Sequence, residues 1–199
     1  MAIYTNAELI GGTHGIFQSS LLESTLSGHL WDCLVSTVDT SGSTPVYTPI
    51  EVDNGVAVCV GDYTGNGLQE RYAKIAGVKD KVGITGSPAV VKDAFTQAQA
   101  AETNFYHKAG QLAKVYEVRG DKYDHDIFGV GKHQFTSASQ SAVAVGAYVV
   151  LDGNGKYVAQ AAEPTAANYG FIGQIHSIQT GLFYDVVRIA VIQNKDNNT

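Results

Sequence analysis

Between Tyr148 and Gln160 the chain reads YVVL, then DGNG, then KYVAQ. Two runs of β-branched and aromatic residues flank a turn that has glycine at 153 and 155. Glycine enters the left-handed region without a Cβ penalty, so this turn reverses the chain at little cost and a hairpin follows. The same grammar recurs along the chain. LWDCLVSTV (30–38) and GVAVCV (55–60) read as strands, and KVGIT (81–85) and QLAKVYEV (111–118) as two more. GDYTGNG (61–67) holds an Asn-Gly turn signal ahead of ERYAKIAG, which predicts a second hairpin. IFGVGKHQFT (127–136) reads as a strand with a glycine bend, and FIGQIHSI and FYDVVRIAVIQ supply the last two. With 22 Gly against 4 Pro and 11 Tyr, the composition favours many short strands over a helical bundle. Spacings of 8–12 residues between strands point to a small barrel or sandwich.

One stretch departs from that grammar. Ser87 can cap a helix, Pro88 suits its first position, and Val91, Ala94, Phe95, Ala98 and Ala101 recur at helical spacing. A helix is therefore predicted over 87–109, ended by Gly110. The fold class expected is mainly β with one or two short helices (α+β). Residues 1–28 are expected to form an extended N-terminal arm, and residues 29–120 a mixed β/α region. Residues 121–193 form an antiparallel β module, and the polar residues 194–199 a flexible tail. The arm has no sustained period, yet it holds Ile3, Tyr4, Ile10, Ile16 and Phe17. These either fold back on their own domain or lie on a neighbour.

Charge narrows the partners. No Lys or Arg precedes Arg71, while residues 1–70 carry Glu8, Glu23, Asp32, Asp39, Glu51, Asp53, Asp62 and Glu70. A nucleic-acid arm needs cations for phosphates, so no nucleic-acid partner is expected. The acidic bias reads as a solvated surface, with attraction to a basic partner as the alternative. No apolar run approaches the roughly 20 residues of a membrane span, and MAIYTNAELIGG lacks the basic start and apolar core of a secretory signal. Cys33 and Cys59 sit in apolar contexts and read as reduced core residues of a protein folded in a cytosol.

Residue type and spacing bear on what chemistry the chain could carry. GVGKH lacks the first glycine and the Ser or Thr of a phosphate loop, and GDYTGNG has its glycines in the wrong order for a dinucleotide. DKYDHD (121–126) has metal-binding side chains without calcium-loop spacing and reads as a solvated turn. RGD (119–121) is too short to carry a function. The six histidines pair with no Ser or Cys in a triad order, and His176 reads as a half-buried strand residue. Trp31, the single tryptophan, reads as a packing residue, with sugar stacking or an interface anchor as the minority role. No catalytic residue, cofactor site or metal site is assigned.

The ordered set NGVAVCVGD, ERYAKIAGV, FYHKAGQLAKVYEVRGD, DIFGVGKHQFT, VGAYVVLDGNGKYVAQ and GFIGQIHSI resembles head-decoration or auxiliary capsid proteins of tailed bacteriophages. The part from Ala142 onward carries most of the likeness. The resemblance implies a compact C-terminal β-barrel or β-tulip-like module and a non-enzymatic role decorating or cementing the outer capsid shell. The implied partner is the major capsid protein, met as repeated copies on a lattice. The implied location is the virion exterior, after folding in the host bacterial cytoplasm. An extended arm of 28 residues at ~3.3 Å each would reach roughly 90 Å, enough to touch a second capsid subunit. Ile3, Tyr4, Ile10, Ile16 and Phe17 are then the expected capsid contacts. Alternative readings are a glycan- or host-binding virion module and a head–tail connector or tail protein. An enzyme would need a convergent polar set that the sequence does not offer.

Overall fold

A computed structural model describes residues 14–19, 22, 30–65, 70–86, 106–120, 126–180 and 184–198. Two six-stranded sheets dominate it. Their strands are, in chain order, β1 (Phe17–Gln18), β2 (Leu30–Asp39), β3 (Val46–Pro49), β4 (Val52–Asp53), β5 (Ala57–Tyr63), β6 (Arg71–Ile75) and β7 (Gly83–Gly86). Then follow β8 (Tyr106–His107), β9 (Leu112–Glu117), β10 (Ile127–Gly131), β11 (Tyr148–Leu151), β12 (Tyr157–Gln160), β13 (Phe171–Gln179) and β14 (Val186–Asn194). The mainly-β expectation holds. Among the described residues the helical segments are 3-10 turns at 132–134, 137–142 and 166–168.

The closed element is built from residues 30–117. Strands β2, β6, β5, β7 and β9 pair in that order, and β9 returns to pair with β2. Four of the five contacts are antiparallel and one, β2 with β6, is parallel. Strand alternation sends Cys33, Val35, Val58, Ala73, Ala113 and Val115 into one buried cluster that fills the lumen. A Cβ on Gly83 would run into the Val115 side chain, so glycine there makes room for the packing. Strand β3 extends the barrel wall beyond β2.

The second sheet, in the order β1-β10-β14-β13-β11-β12, is antiparallel throughout and open. This corrects the expected place of the barrel, since the C-terminal module is the open sheet and the closure lies within residues 30–117. The reason is the cover available to each. The sheet's inner face carries Phe128, Val149, Leu151, Ile175, Val187 and Ile189. It is capped by the barrel's outer wall, where Ala57, Ala76, Val82 and Ile84 join the same core. Closing the sheet would hide that face from the barrel. The two predicted hairpins are present as β5–β6 and β11–β12. In the second, Gly153 and Gly155 have φ of 83° and 79°, and Asp152 Oδ1 accepts the N–H of Asn154 and of Lys156.

Three further expectations change. Most of the predicted helix, 87–105, lies outside the described residues. Its end is a strand, because Tyr106–His107 pairs with Val52–Asp53. Arm residues Ile3, Tyr4 and Ile10 also lie outside the described residues. Ile16 and Phe17 are buried at 0% and 8% exposure, and Phe17 packs on Tyr116 and Phe128. The tail is held down. Asn194 belongs to β14, Lys195 N–H donates to the Gly170 carbonyl, and Asn197 N–H donates to Lys79.

Candidate functional site

Two places gather polar side chains. The first is the joint between barrel, sheet and N-terminal segment. Gly55 turns the chain at φ 76°, where a Cβ would run into Gln134 and the Ile16 carbonyl. That close approach lets Gln134 act as a three-way clasp. Its Oε1 accepts from Ile16 N–H (3.0 Å) and Gly131 N–H (2.7 Å), and its Nε2 donates to the Asn54 carbonyl (3.0 Å). The Tyr157 hydroxyl, fully buried, donates to the Gly55 carbonyl at 2.8 Å. Burial pushes the Tyr157 phenol pKa upward, so it stays a donor.

Three of the scattered histidines meet here. His14 Nδ1 lies 2.6 Å from Asp53 Oδ1, and its ring stacks on Tyr106 at 4.6 Å. His133 Nε2 lies 3.2 Å from the His14 carbonyl, which leaves the ring nitrogen as donor. His107 is buried, and its Nε2 lies 3.2 Å from Asn54 Oδ1. Burial lowers the His107 pKa, and the nearby Asp53 charge opposes that only in part. These groups bond to backbone and to one another across the joint. That arrangement fixes strands together, and among the described residues no group of three or more His, Cys, Asp or Glu is placed to hold a metal.

The second place is one mouth of the barrel. Each wall strand contributes to it: Trp31 from β2, Val60 from β5, Arg71 from β6, Gly83 from β7 and Glu117 from β9. They surround a cavity of about 270 Å³, with Lys81 and Asp196 on its rim. The lumen is apolar deeper in, but the inward positions turn polar here. Arg71 lies two residues before Ala73, and Glu117 two after Val115, on the same inward alternation. The Arg71 guanidinium lies 4.3 Å from the Trp31 ring centroid and 4.2 Å from that of Tyr63. It donates to the Gly61 carbonyl and the Tyr63 hydroxyl. Its Nε is buried and, among the described residues, has no hydrogen-bond partner. Glu117 pairs with Lys81 and accepts from Trp31 Nε1 at 3.2 Å.

The expected site residues do not converge. Ile16 and Phe17 belong to the molecule's own core, so neither is free to face a capsid; Ile3, Tyr4 and Ile10 are not described. Trp31 is half-buried at the mouth rather than deep in the core. Of the cysteines, Cys33 is buried in the lumen, where burial and the Asp32 charge push its thiol up to about 12 despite Arg71. Cys59 is only half-buried. His176 is exposed. Sequence reading missed the joint because its partners are far apart along the chain, as with His14–Asp53 (39 positions) and Ile16–Gln134 (118). The available hints were the glycines beside them, in GGTHG and DNG. No protein-family model matches the chain, and no curated protein matches its sequence.

Proposed function

We propose that this chain is a non-enzymatic structural protein of a tailed-bacteriophage virion that decorates or cements the outer capsid shell. The observation that carries this reading is the joint. Its histidines and Asp53 are engaged in holding β1, barrel and sheet in one body, which fixes the chain at His14. A protein that repeats one contact on a lattice needs such a platform, because any play in it would cost conformational entropy at every copy. Ile16 and Phe17 support the platform, and the segment ahead of His14, with Ile3, Tyr4 and Ile10, is the attaching element. The partner is the major capsid protein, and the place is the capsid exterior. The acidic first third of the chain suits a basic face on that partner.

Co-sedimentation with mature capsids from the same source tests this. The full chain is expected to pellet at a fixed ratio to the capsid protein, and a chain lacking residues 1–13 is expected to stay in the supernatant. A full chain that never pellets would overturn the decoration role, and a truncated chain that pellets equally well would overturn the attaching role of residues 1–13. A second reading, a surface module that adheres to glycans, is favoured by Trp31 and Tyr63 flanking Arg71 at the barrel mouth.

A further inference from the structure

We propose that the mouth of the five-stranded barrel binds a single saccharide ring, through Trp31, Arg71, Lys81, Glu117 and Asp196. This does not depend on the capsid role, since the site lies wholly within the barrel and its rim.

The chemistry of the lining selects the ligand. Arg71 and Lys81 can only donate hydrogen bonds, and ionised Glu117 and Asp196 can only accept them. All four border one cavity of about 270 Å³. Their opposite charges exclude a purely anionic or cationic ligand as the best fit, because one pair would always repel it. A hydroxyl donates and accepts at once, so adjacent hydroxyls on one ring satisfy both kinds of group. The volume is just below the range of drug-sized pockets, ~300–1,000 Å³, which suits one ring rather than a chain of them.

Arg71 is the anchoring residue. Two aromatic rings and two neutral oxygens hold its guanidinium in one place. Among the described residues no carboxylate lies within ion-pair distance of it. A guanidinium fixed this way, with no ion-pair partner among the described residues, is pre-organised to donate its remaining Nη protons to a ligand. Glu117 is held by Lys81 and by Trp31 Nε1, so the acceptor beside it is also fixed. Tyr63, 55% exposed, extends the aromatic wall outward.

The chain's single tryptophan lines the cavity, so its emission reports on the site without a label. The test is a fluorescence titration of the full chain with glucose, galactose, N-acetylglucosamine and glucuronate, and with glycine as a zwitterion control. For a ligand of about twelve non-hydrogen atoms, a saturable change with a dissociation constant on the order of millimolar is expected for at least one sugar. Arg71→Gln is expected to weaken it at least tenfold, roughly the loss of one charge-assisted hydrogen bond. Asp196→Asn lies on the rim outside the barrel wall, keeps the barrel intact, and is expected to weaken it several-fold. No saturable change with any sugar would overturn the proposal. So would a response unchanged in both variants, or one that glycine alone produces, which would make the site an amino-acid receptor.

Discussion

His107 is a buried imidazole held by Asn54 at the joint, and its pKa is lowered mainly by burial. The unfolded chain takes up a proton near the ordinary value of 6.5, whereas the folded chain does so only at lower pH. Between those two values the unfolded state binds more protons, so stability rises with pH there. The contribution of neutral His107 is thus complete above 6.5 and declines as pH falls below it. Thermal melts between about pH 7.5 and pH 5 should show a falling midpoint in the natural chain and a shallower fall in His107→Gln. Equal slopes would remove His107 as the cause. None of this was readable from the sequence. Nothing in NFYHKAG marks His107 as buried, because the partner that buries it is Asn54, met through the pairing of β8 with β4. Alternation along a strand says which residues share a face, and leaves open which strand lies opposite. Cys59, expected in the core, is half-buried, and His176, expected half-buried, is exposed.

Among the strands, β14 does the most joining. It pairs with β10 on one side and β13 on the other, and its last residue, Asn194, reaches the barrel. Asn194 accepts from Val82 N–H at 2.8 Å and donates to the Val82 and Val118 carbonyls at 2.7 Å each. Those backbone groups lie just outside β7 and β9, so one side chain stitches the sheet's end to two barrel strands. Asn194→Ala leaves three backbone groups short of a partner in a half-buried place. A loss of about 1–3 kcal/mol is expected in denaturant unfolding, with an unchanged m-value. A loss within about 0.5 kcal/mol would mean that water replaces the amide. The strands themselves were legible. FYDVVRIAVIQ and FIGQIHSI announce β14 and β13 by their branched residues, and DGNG announces the β11–β12 turn. The stitching was not, because NKDNNT has the composition of a solvated tail. Asn194 and Asn197 are instead matched to the carbonyls of Lys79, Val82, Val118, Ala166 and Tyr169, and Asn198 donates to the Asp80 carboxylate.

For the whole molecule, barrel and sheet share one core. Phe128, Tyr157 and Phe171 of the sheet side lie in the same cluster as Ala57, Val82 and Ile84 of the barrel wall. Residues 14–18 cross from one to the other, with His14 on Asp53 and Phe17 paired to Val130. Exposing that interface would uncover the inner face of the open sheet, so neither half has reason to melt alone. Calorimetry of the full chain should give one transition whose van't Hoff and calorimetric enthalpies agree. Two resolved transitions would show that the lumen cluster holds the barrel without the sheet. The sequence divides into a mixed region ending at residue 120 and a β region beginning at 121. β9 is the last barrel strand and β10 the next strand of the sheet, but β1 (Phe17–Gln18), far ahead of that point, belongs to the sheet as well. A shared core leaves no such mark, because an apolar residue on a barrel's outer wall looks like one in its lumen.

The barrel's closing pair has a consequence in time. Leu30 to Leu34 of β2 pair with Leu112 to Tyr116 of β9, at opposite ends of the barrel's sequence. On a ribosome, β2 emerges long before the strand that seals it exists. Until then one edge of β2 stands open along Leu30 to Leu34, as a template for any passing strand. Closure by so distant a pair is slow compared with hairpin formation, so the nascent chain lives for a while as an unsealed sheet. The early stretch is also where every ionised residue before Arg71 is acidic. Like charge on such stretches would weigh against their pairing with one another during the wait.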